Sequence, residues 1–284
     1  MKLVVFTSLK PPIGVSGEIQ RKALENWREF FPGVEILNFE TSACGAEDLG
    51  LDVRTVVLPG NGRVPTFNAM VKWLFTHTES ELLLYSNGDL LFDGSLMKVC
   101  EAMPRGNFLL TGQRIDRTGD GEKRLHRSCG MDYFLFRRGL FRDLPPVVMG
   151  RAYCDSALVA YCLRKRVPVI DASYFVRVEH QFHDYGHIAG GRRTVCSGDA
   201  ARQNLAENGL RSFAPHCIDA TQTLLPNGLL VPNIRASVLR KLEVTLFYRM
   251  RWWGCPPFNA IWNLLTRGGR YGKNPRWPNV KGIR

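Results

Sequence analysis

Several features that would assign this chain to a familiar class are missing from its sequence. No apolar run reaches the roughly 18 residues needed to span a bilayer, and the apolar stretch after Met1 is shorter than the ~7–15 residues of a signal peptide. The patterns Gly-x-Gly-x-x-Gly and Gly-x-x-x-x-Gly-Lys are also absent, which argues against dinucleotide-dependent redox enzymes and ATPases. We therefore expect a protein of the cytoplasm.

The eight cysteines form no Cys-x-x-Cys pair, so neither a zinc knuckle nor a thioredoxin-like site is indicated. A disulfide framework is typical of small secreted proteins, whereas this chain has 284 residues. We therefore expect the cysteines to be reduced and mostly buried. A composition with 45% hydrophobic residues is sufficient for a large core.

Acidic residues are scarce near the carboxyl end of the sequence. Residues 235–284 contain eleven Lys or Arg and one acid, Glu243, and so carry +10 of the formal net charge of +12. We place a boundary at Pro232, with a first domain over residues 1–232 and a basic, aromatic helical extension over residues 233–284. Such a segment can lie on an anionic membrane surface, but a helix packed on the protein's own core with a solvated basic face fits the same pattern.

Strand-like and helix-like segments alternate over the first half of the chain. Apolar runs at residues 2–7, 34–39, 53–58 and 82–85 predict strands, and apolar residues at helical spacing predict two intervening helices. This alternation predicts an α/β, Rossmann-like fold in which helices flank a mostly parallel sheet. From about residue 197 onward the pattern predicts helices and loops without strands.

The most informative stretch is an apolar strand that ends at a carboxylate. Residues 82–85 are followed by the polar residues Ser86, Asn87, Gly88 and Asp89. Open α/β sheets bind ligands in the crevice at the carboxyl ends of their strands. We therefore expect Asp89 to face a site, where its carboxylate could hold a divalent cation.

Three further groups of polar residues could contribute to such a site. Asp155 lies in the first turn of a predicted helix, where a carboxylate often serves only as a cap. Asp132 precedes strand-like residues and could bind a hydroxyl group or simply form a turn. Residues 180–187 contain three of the six histidines, a density that suits a transition-metal site or proton transfer, although each imidazole could instead bond to nearby backbone.

Taken in order, these stretches resemble a family of bacterial, plant and algal-virus glycosyltransferases of the GT-A type. The resemblance covers residues 2–193, and its most specific element is the histidine-rich motif His180-Gln181-Phe182-His183-Asp184-Tyr185-Gly186-His187. In GT-A enzymes an Asp-x-Asp or related motif ends the fourth strand and binds the metal–diphosphate group of a nucleotide sugar. This chain has Asn87-Gly88-Asp89, so an amide replaces the first acid.

The resemblance implies a GT-A-like fold and a role for each candidate residue. Asp89, His183 and His187 would bind Mn²⁺ or Mg²⁺, and Asp155 would be the base of an inverting reaction. Contacts with the acceptor would come from Asp132, Tyr133 and Arg151. Contacts with a nucleotide-sugar donor, with a UDP-sugar favoured, would come from Thr7, Ser8, Pro11, Arg63, Thr66, Asn68 and Asn87.

The implied function is transfer of a sugar to a glycan or lipid-linked acceptor in surface polysaccharide or lipopolysaccharide biosynthesis, with the basic tail at the inner face of the plasma membrane. A nucleic-acid-binding protein is an alternative, because Trp252, Trp253 and Trp262 lie among arginines. The charge lies outside the predicted sheet and no nucleic-acid-binding motif is present, which disfavours that alternative. A third possibility is a GT-A-like protein that binds nucleotide sugars without turnover because of Asn87.

Overall fold

The computed structural model describes residues 2–42, 49–60, 64–117, 121–183, 191–210 and 214–234. Its helices are α1 (Val15–Phe30), α2 (Phe67–His77), α3 (Ser95–Ala102), α4 (Cys154–Arg164), α5 (Gly191–Ser197) and α6 (Asp199–Glu207). The strands are β1 (Leu3–Thr7), β2 (Glu35–Glu40), β3 (Arg54–Val57), β4 (Leu82–Ser86), β5 (Leu90–Phe92), β6 (Leu109–Thr111), β7 (Ile115–Arg117), β8 (Lys123–Leu125), β9 (Tyr133–Arg137), β10 (Val169–Asp171), β11 (Val178–His180), β12 (Gln222–Leu224) and β13 (Leu230–Pro232). Among the helices described, none combines the length and apolar character required to cross a bilayer.

Nine of these strands form one large sheet in the order β13-β12-β10-β6-β9-β4-β1-β2-β3. Neighbouring strands run parallel in five of the eight pairings, and the antiparallel pairings involve β9 and the edge strand β13. The predicted α/β class with a mostly parallel sheet is therefore confirmed. The edge hairpin of β12 and β13 corrects the prediction that no strands follow residue 197.

Helices cover both faces of the large sheet because consecutive strand residues point to opposite sides. Phe6 and Tyr85 pack on the side of α2 and α4, while Val5 and Leu84 pack on the side of α1 and α3. The central strands β1 and β4 are buried over their whole length, which is typical of parallel strands with helices on both sides. This packing fixes the end of β4, from which the chain enters the candidate site.

A second, smaller sheet stands at the carboxyl end of β4 and has the order β5-β11-β7-β8. Each of its strands has three residues, and they come from four separate stretches of the chain. Two of these strands lie within residues 114–130, which the sequence predicts only as a polar insertion beside the site. The predicted extension lies, apart from residues 233 and 234, outside the described residues.

Candidate active site

Asp89 lies in the tight turn between β4 and β5, and two other elements hold this turn in place. The indole Nε1 of Trp27, on α1, donates a hydrogen bond to the carbonyl of Leu90 over 2.8 Å. The backbone amide of Gln181 donates to the carbonyl of Asp89 over 3.1 Å. A Cβ at Gly88 would lie 2.6 Å from a terminal methyl group of Leu9, so a larger residue there would require the Leu9 side chain to move. Hydrogen bonds from Trp27 and Gln181 therefore fix the backbone that carries the Asp89 carboxylate.

The register of the small sheet brings the histidine-rich motif to Asp89. In this sheet His180, the last residue of β11, is paired with Leu90 on one side and with Asp116 on the other. Leu90 directly follows Asp89, so the pairing places His180 beside the turn. The three residues after β11 then place His183 against the same carboxylate, although the two residues are 94 positions apart in the sequence.

Asp89, His180 and His183 form a cluster whose possible ligand atoms all lie within 4.8 Å of one another. Nε2 of His183 is 2.9 Å from Oδ2 of Asp89, and Nε2 of His180 is 3.7 Å from the same oxygen. The other oxygen, Oδ1, is buried and has no hydrogen-bond partner among the described residues. Two imidazoles and one carboxylate suit a divalent transition metal, and an unpartnered buried oxygen fits a ligand atom. The cluster therefore fits a metal ion.

The electrostatic environment shifts the pKa values of two members of this cluster, Asp89 and His180. Burial opposes ionisation of Asp89, but the hydrogen bond with His183 and the nearby positive charges of His180, Lys10 and His183 outweigh it and hold the pKa of Asp89 well below its usual range. Burial lowers the pKa of His180, which favours the neutral imidazole. An ionised carboxylate and a neutral imidazole are the forms in which these side chains bind metals.

Lys10 adds a cation near the same oxygen of the Asp89 carboxylate that the two histidines approach. Its Nζ is 3.8 Å from Oδ2 of Asp89, and its side chain is about one-third exposed. Gln20, on α1, fixes the backbone of Lys10 by accepting from its amide over 2.6 Å and donating to its carbonyl over 3.0 Å. A solvent-accessible ammonium group beside the cluster is suited to an anionic ligand such as a phosphate.

A second carboxylate, Asp132, is held next to the turn by two donors. Nδ2 of Asn87 donates to one of its oxygens over 2.9 Å, and Nη1 of Arg114 donates to the other over 2.6 Å. The hydroxyl of Tyr85 donates to Oδ1 of Asn87 over 3.1 Å. Arg114 also donates from Nε to Asp116 over 2.8 Å, so one guanidinium links the two carboxylates.

Asp155 lies in the first turn of α4, where the charge of Asp132 acts on it. Burial, together with the negative charge of Asp132, raises the pKa of Asp155 well above its usual value. The thiol of Cys154 donates to Oδ1 of Asp155 over 3.3 Å. Burial raises the pKa of Tyr85, in β4, and the negative charges of Cys154, Asp155, Asp89 and Asp132 raise it further. A carboxyl with a raised pKa is suited to accept a proton near neutral pH.

The residues predicted to contact the nucleotide lie at the end of β1 and just after it, before and within α2, and after β4. Thr7 is fully buried, Pro11 is exposed, and the partly exposed ones are Ser8, Thr66, Asn68 and Asn87. Oδ1 of Asn68 is buried and has no partner among the described residues. Arg63 lies outside the described residues, as does the predicted metal ligand His187. The nucleotide contacts remain predictions.

Tyr133 and Arg151, two of the residues predicted to bind the acceptor, make their described contacts with Phe92 and Gly150. Tyr133 is fully buried, and its ring packs edge-on against Phe92 with the centroids 5.8 Å apart. Arg151 is partly exposed and donates to the carbonyl of Gly150 over 2.9 Å. Their roles in acceptor binding stay predictions.

The sequence interpretation included His180 in the histidine-rich motif but chose His183 and His187 as the ligands, and it missed Lys10, Arg114 and Asp116 around the cluster. A signal for His180 was present, because it forms a His-x-x-His pattern with His183. No comparable signal marks Asp116, which reaches His180 only through the register of two short strands.

Comparisons with known proteins give structural neighbours only. No protein-family model matches the sequence, and no curated protein matches it. S. aureus TarS 1-349 in complex with UDP-GlcNAc is 14% identical with a TM-score of 0.46, over 66% of this chain and 60% of the TarS fragment. HddC from Yersinia pseudotuberculosis is 12% identical with a TM-score of 0.34, over 51% of this chain and 80% of HddC.

A third neighbour is a mannose-1-phosphate geranyltransferase from Thermus thermophilus, 16% identical with a TM-score of 0.35, over 64% of this chain and 74% of that one. This chain thus spans less than two thirds of the length of the TarS fragment. The assignment of the α/β fold rests on the sheet order, and that of the site on the distances given above.

Proposed function

We propose that the chain is a metal-dependent glycosyltransferase that uses a nucleotide-sugar donor. The observation that supports this most directly is the convergence of Asp89, His180 and His183 at the carboxyl end of β4, with the unpartnered Oδ1 of Asp89. This is the crevice in which open α/β sheets bind their ligands. The resemblance of the Asn87-Gly88-Asp89 turn and the histidine-rich motif to GT-A enzymes supports the same function.

In this proposal Asp89, His180 and His183 hold a divalent cation, Mn²⁺ or Mg²⁺. Such a cation, when bound, neutralises the negative charge that develops on a departing nucleoside diphosphate. Lys10 binds a phosphate oxygen of the donor, since its Nζ lies 3.8 Å from Asp89 and its side chain reaches solvent. The two imidazoles, through the cation, and Lys10 directly would therefore bind the diphosphate group of the donor.

Asp155 and Asp132 act on the hydroxyl group of the acceptor in this proposal. Asp155 takes the proton from the attacking hydroxyl group of the acceptor, in an inverting reaction, because burial raises its pKa and so makes it a stronger base. Asp132, held by Asn87 and Arg114, orients that hydroxyl group. Removing either carboxylate should therefore lower turnover more than it lowers donor affinity.

The acceptor in this proposal is a glycan or a lipid-linked saccharide, and the function is in surface polysaccharide or lipopolysaccharide assembly. The charge of the sequence supports this proposal, because residues 235–284 carry +10 and would attract anionic lipid head groups. A cytoplasmic protein bound peripherally to the inner face of the plasma membrane would meet such acceptors. The domain boundary near residue 232 separates the tail from the catalytic part.

The central test is thermal unfolding with Mn²⁺ and nucleotide sugars of the UDP, GDP, dTDP and CMP series. We expect a UDP-sugar plus Mn²⁺ to stabilise the protein by about 2.7 kcal/mol at a concentration of one hundred times Kd, and to raise its Tm accordingly. Asp89→Asn keeps the shape of the side chain but removes its charge, and should abolish the shift. Asp199→Asn is the matched control, because Asp199 is fully exposed on α6.

The outcomes separate the proposed function from its alternatives. If no nucleotide sugar changes the Tm with or without metal, the proposal is wrong. If the donor binds but neither hydrolysis of the donor nor transfer to an acceptor is detected, the chain is a binding protein of this fold and not an enzyme. A GDP-sugar that stabilises more than a UDP-sugar would correct the expected nucleotide preference alone.

A further inference from the structure

Arg114, directly before β7, contacts carboxylates on two sides of the candidate active site. Its Nη1 donates to Oδ2 of Asp132 over 2.6 Å, and its Nε donates to Oδ1 of Asp116 over 2.8 Å. The side chain of Arg114 is only 16% exposed, so both bonds are largely shielded from water. Because donor and acceptors are all charged, each bond is stronger than one between neutral groups.

The bond with Asp116 leads to the candidate metal cluster. Oδ1 of Asp116, the oxygen that accepts from Arg114, is also 3.7 Å from Nδ1 of His180. The other nitrogen of that imidazole, Nε2, is 3.7 Å from Oδ2 of Asp89. Arg114 therefore holds the carboxylate that lies behind one of the candidate metal ligands.

The bond with Asp132 leads to the turn that carries Asp89. Oδ1 of Asp132 accepts from Nδ2 of Asn87 over 2.9 Å, and the backbone carbonyl of Asp132 accepts from the amide of Asn87 over 3.0 Å. Asn87 lies two residues before Asp89 in this turn. The carboxylate of Asp132 is thus held by the turn through one oxygen and by Arg114 through the other.

Together these contacts close into a ring. Arg114 is the member that bridges the metal ligands to the carboxylate of Asp132, and the backbone of Gly88 completes the ring between Asn87 and Asp89. The side chains of the ring are, in order, Asp89, His180, Asp116, Arg114, Asp132 and Asn87.

The backbone of Arg114 is itself fixed by the turn that follows β8. Its amide donates to the carbonyl of Gly130 over 3.1 Å, and its carbonyl accepts from the amide of His126 over 2.9 Å. The imidazole of His126 also holds Asp116, since its Nδ1 is 2.5 Å from Oδ2 of that carboxylate. A planar guanidinium on an anchored backbone keeps its donors in fixed directions.

We propose that Arg114 is a positioning residue that couples the candidate metal cluster to Asp132. This inference rests on the proposed function, because it takes the cluster as the metal site and Asp132 as the group that orients the acceptor. Through Asp116 the guanidinium fixes the ring of His180 for the ion. Through Asp132 it fixes a carboxylate for the acceptor hydroxyl group. An ammonium group, a point charge without the fork of donors, cannot hold both carboxylates in this way.

The test is a calorimetric titration of the full chain with Mn²⁺ in the absence of any donor, so that it does not depend on activity. Arg114→Lys keeps the positive charge and removes the fork. We expect it to weaken Mn²⁺ binding by about 3–10-fold, less than the loss of a carboxylate directly behind a ligating histidine. Arg117→Lys is the matched control, because Arg117 is also near the small sheet's edge of β7 but donates to Glu179, over 2.7 Å.

A double-mutant cycle tests the coupling itself. Asp132→Asn is titrated with Mn²⁺ in the wild-type chain and in Arg114→Lys. For independent sites the two losses of affinity would multiply. We expect the loss in the double variant to fall short of that product by more than about twofold, because Asp132 acts on the cluster through Arg114. Agreement with the product within this margin would overturn the proposal.

The outcomes distinguish this inference from the proposed function. If the wild type binds no Mn²⁺, both are wrong. If it binds Mn²⁺ but Arg114→Lys binds with unchanged affinity, the role of Arg114 alone is overturned. Thermal unfolding without metal shows whether each variant is folded. If Arg114→Lys is not, the same cycle is made with Asp116→Asn and Asp132→Asn, the two carboxylates that Arg114 joins, and the same margin decides.

Discussion

The side-chain amide of Asn87 donates a hydrogen bond of 2.9 Å to the carboxylate of Asp132, while its carbonyl oxygen accepts from the hydroxyl of Tyr85 over 3.1 Å. Both functions of the amide are thus in use. An aspartate at this position could accept from Tyr85, but it would set a second negative charge against Asp132. An amide at position 87 is therefore compatible with the neighbouring carboxylate, whereas an acid there would face it with a like charge.

We expect Asn87→Asp to destabilise the protein by about 1–3 kcal/mol at pH 7, because it replaces a hydrogen bond with the repulsion of two carboxylates. Chemical denaturation gives the free energy of unfolding. The control is Asn227→Asp, since the exposed Asn227 uses only its Oδ1, as an acceptor from the amide of Leu229. An equal effect of both substitutions would contradict this account of Asn87.

Asp116 should tune metal binding without touching the ion. Its Oδ1 is 3.7 Å from Nδ1 of His180, whose Nε2 faces Asp89. Carboxylates behind a ligating histidine fix the orientation of its ring, and their loss typically costs about 10–100-fold in metal affinity. We expect Asp116→Asn to weaken Mn²⁺ binding within this range in a calorimetric titration. Asp199→Asn should have no effect, and an unchanged affinity in Asp116→Asn would refute the role.

Asp155 should make the stability of the protein dependent on pH. Because its pKa is raised in the folded state, the folded protein binds more protons than the unfolded chain over the interval between the two pKa values. Stability is therefore lost as the pH rises from about 4, the usual value for Asp, through the raised value. Asp155→Asn removes this loss and retains an acceptor for the thiol of Cys154.

The variant should match the wild type at acid pH and exceed its free energy of unfolding at pH 7 by roughly 1 kcal/mol or less, since Asp155 is partly exposed. Denaturation curves between pH 4 and pH 8 measure this difference. In the proposed function Asp155 is the base, so transfer activity should fall in the same variant. A difference in stability that grows toward low pH would show the opposite sign and contradict the assigned pKa shift.

Gly112, which directly follows β6, lies close to Tyr133 and to the backbone of Ser173. A Cβ at this position would lie 2.4 Å from the hydroxyl of Tyr133 and 3.0 Å from the backbone nitrogen of Ser173. We expect Gly112→Ala to cost about 1–3 kcal/mol, because backbone cannot move aside. Gly106 is exposed with open space around it, and Gly106→Ala should change the free energy of unfolding by no more than about 0.5 kcal/mol.

The large elements of the fold could be predicted from the sequence because their patterns are local. Helix α1 has sixteen residues with repeated apolar spacing, and β4 is an unbroken apolar run that ends in polar residues. Strands β5, β12 and β13 have only three residues each, which is too short to show alternation. Their formation depends on partners that are distant in the sequence.

In the site, too, some residues could be predicted from local patterns, whereas others depend on strand pairing. Asp89 was predictable because it interrupts an apolar run, and His183 because it belongs to a dense group of histidines. The choice of His180 as the neighbouring imidazole depends on the pairing of β11 with β5 and β7. The contact of Asp116 with His126 likewise depends on the pairing of β7 with β8.

The small sheet gathers the ligands of the candidate metal site from parts of the chain that are 94 positions apart. In the denatured ensemble these side chains are scattered, and the site does not exist there. An ion would therefore bind only to the folded protein. Binding of the ion would stabilise the four short strands, and their unfolding would release it. Chelation would loosen this corner of the molecule first, while the nine-stranded sheet beneath it would keep its own core.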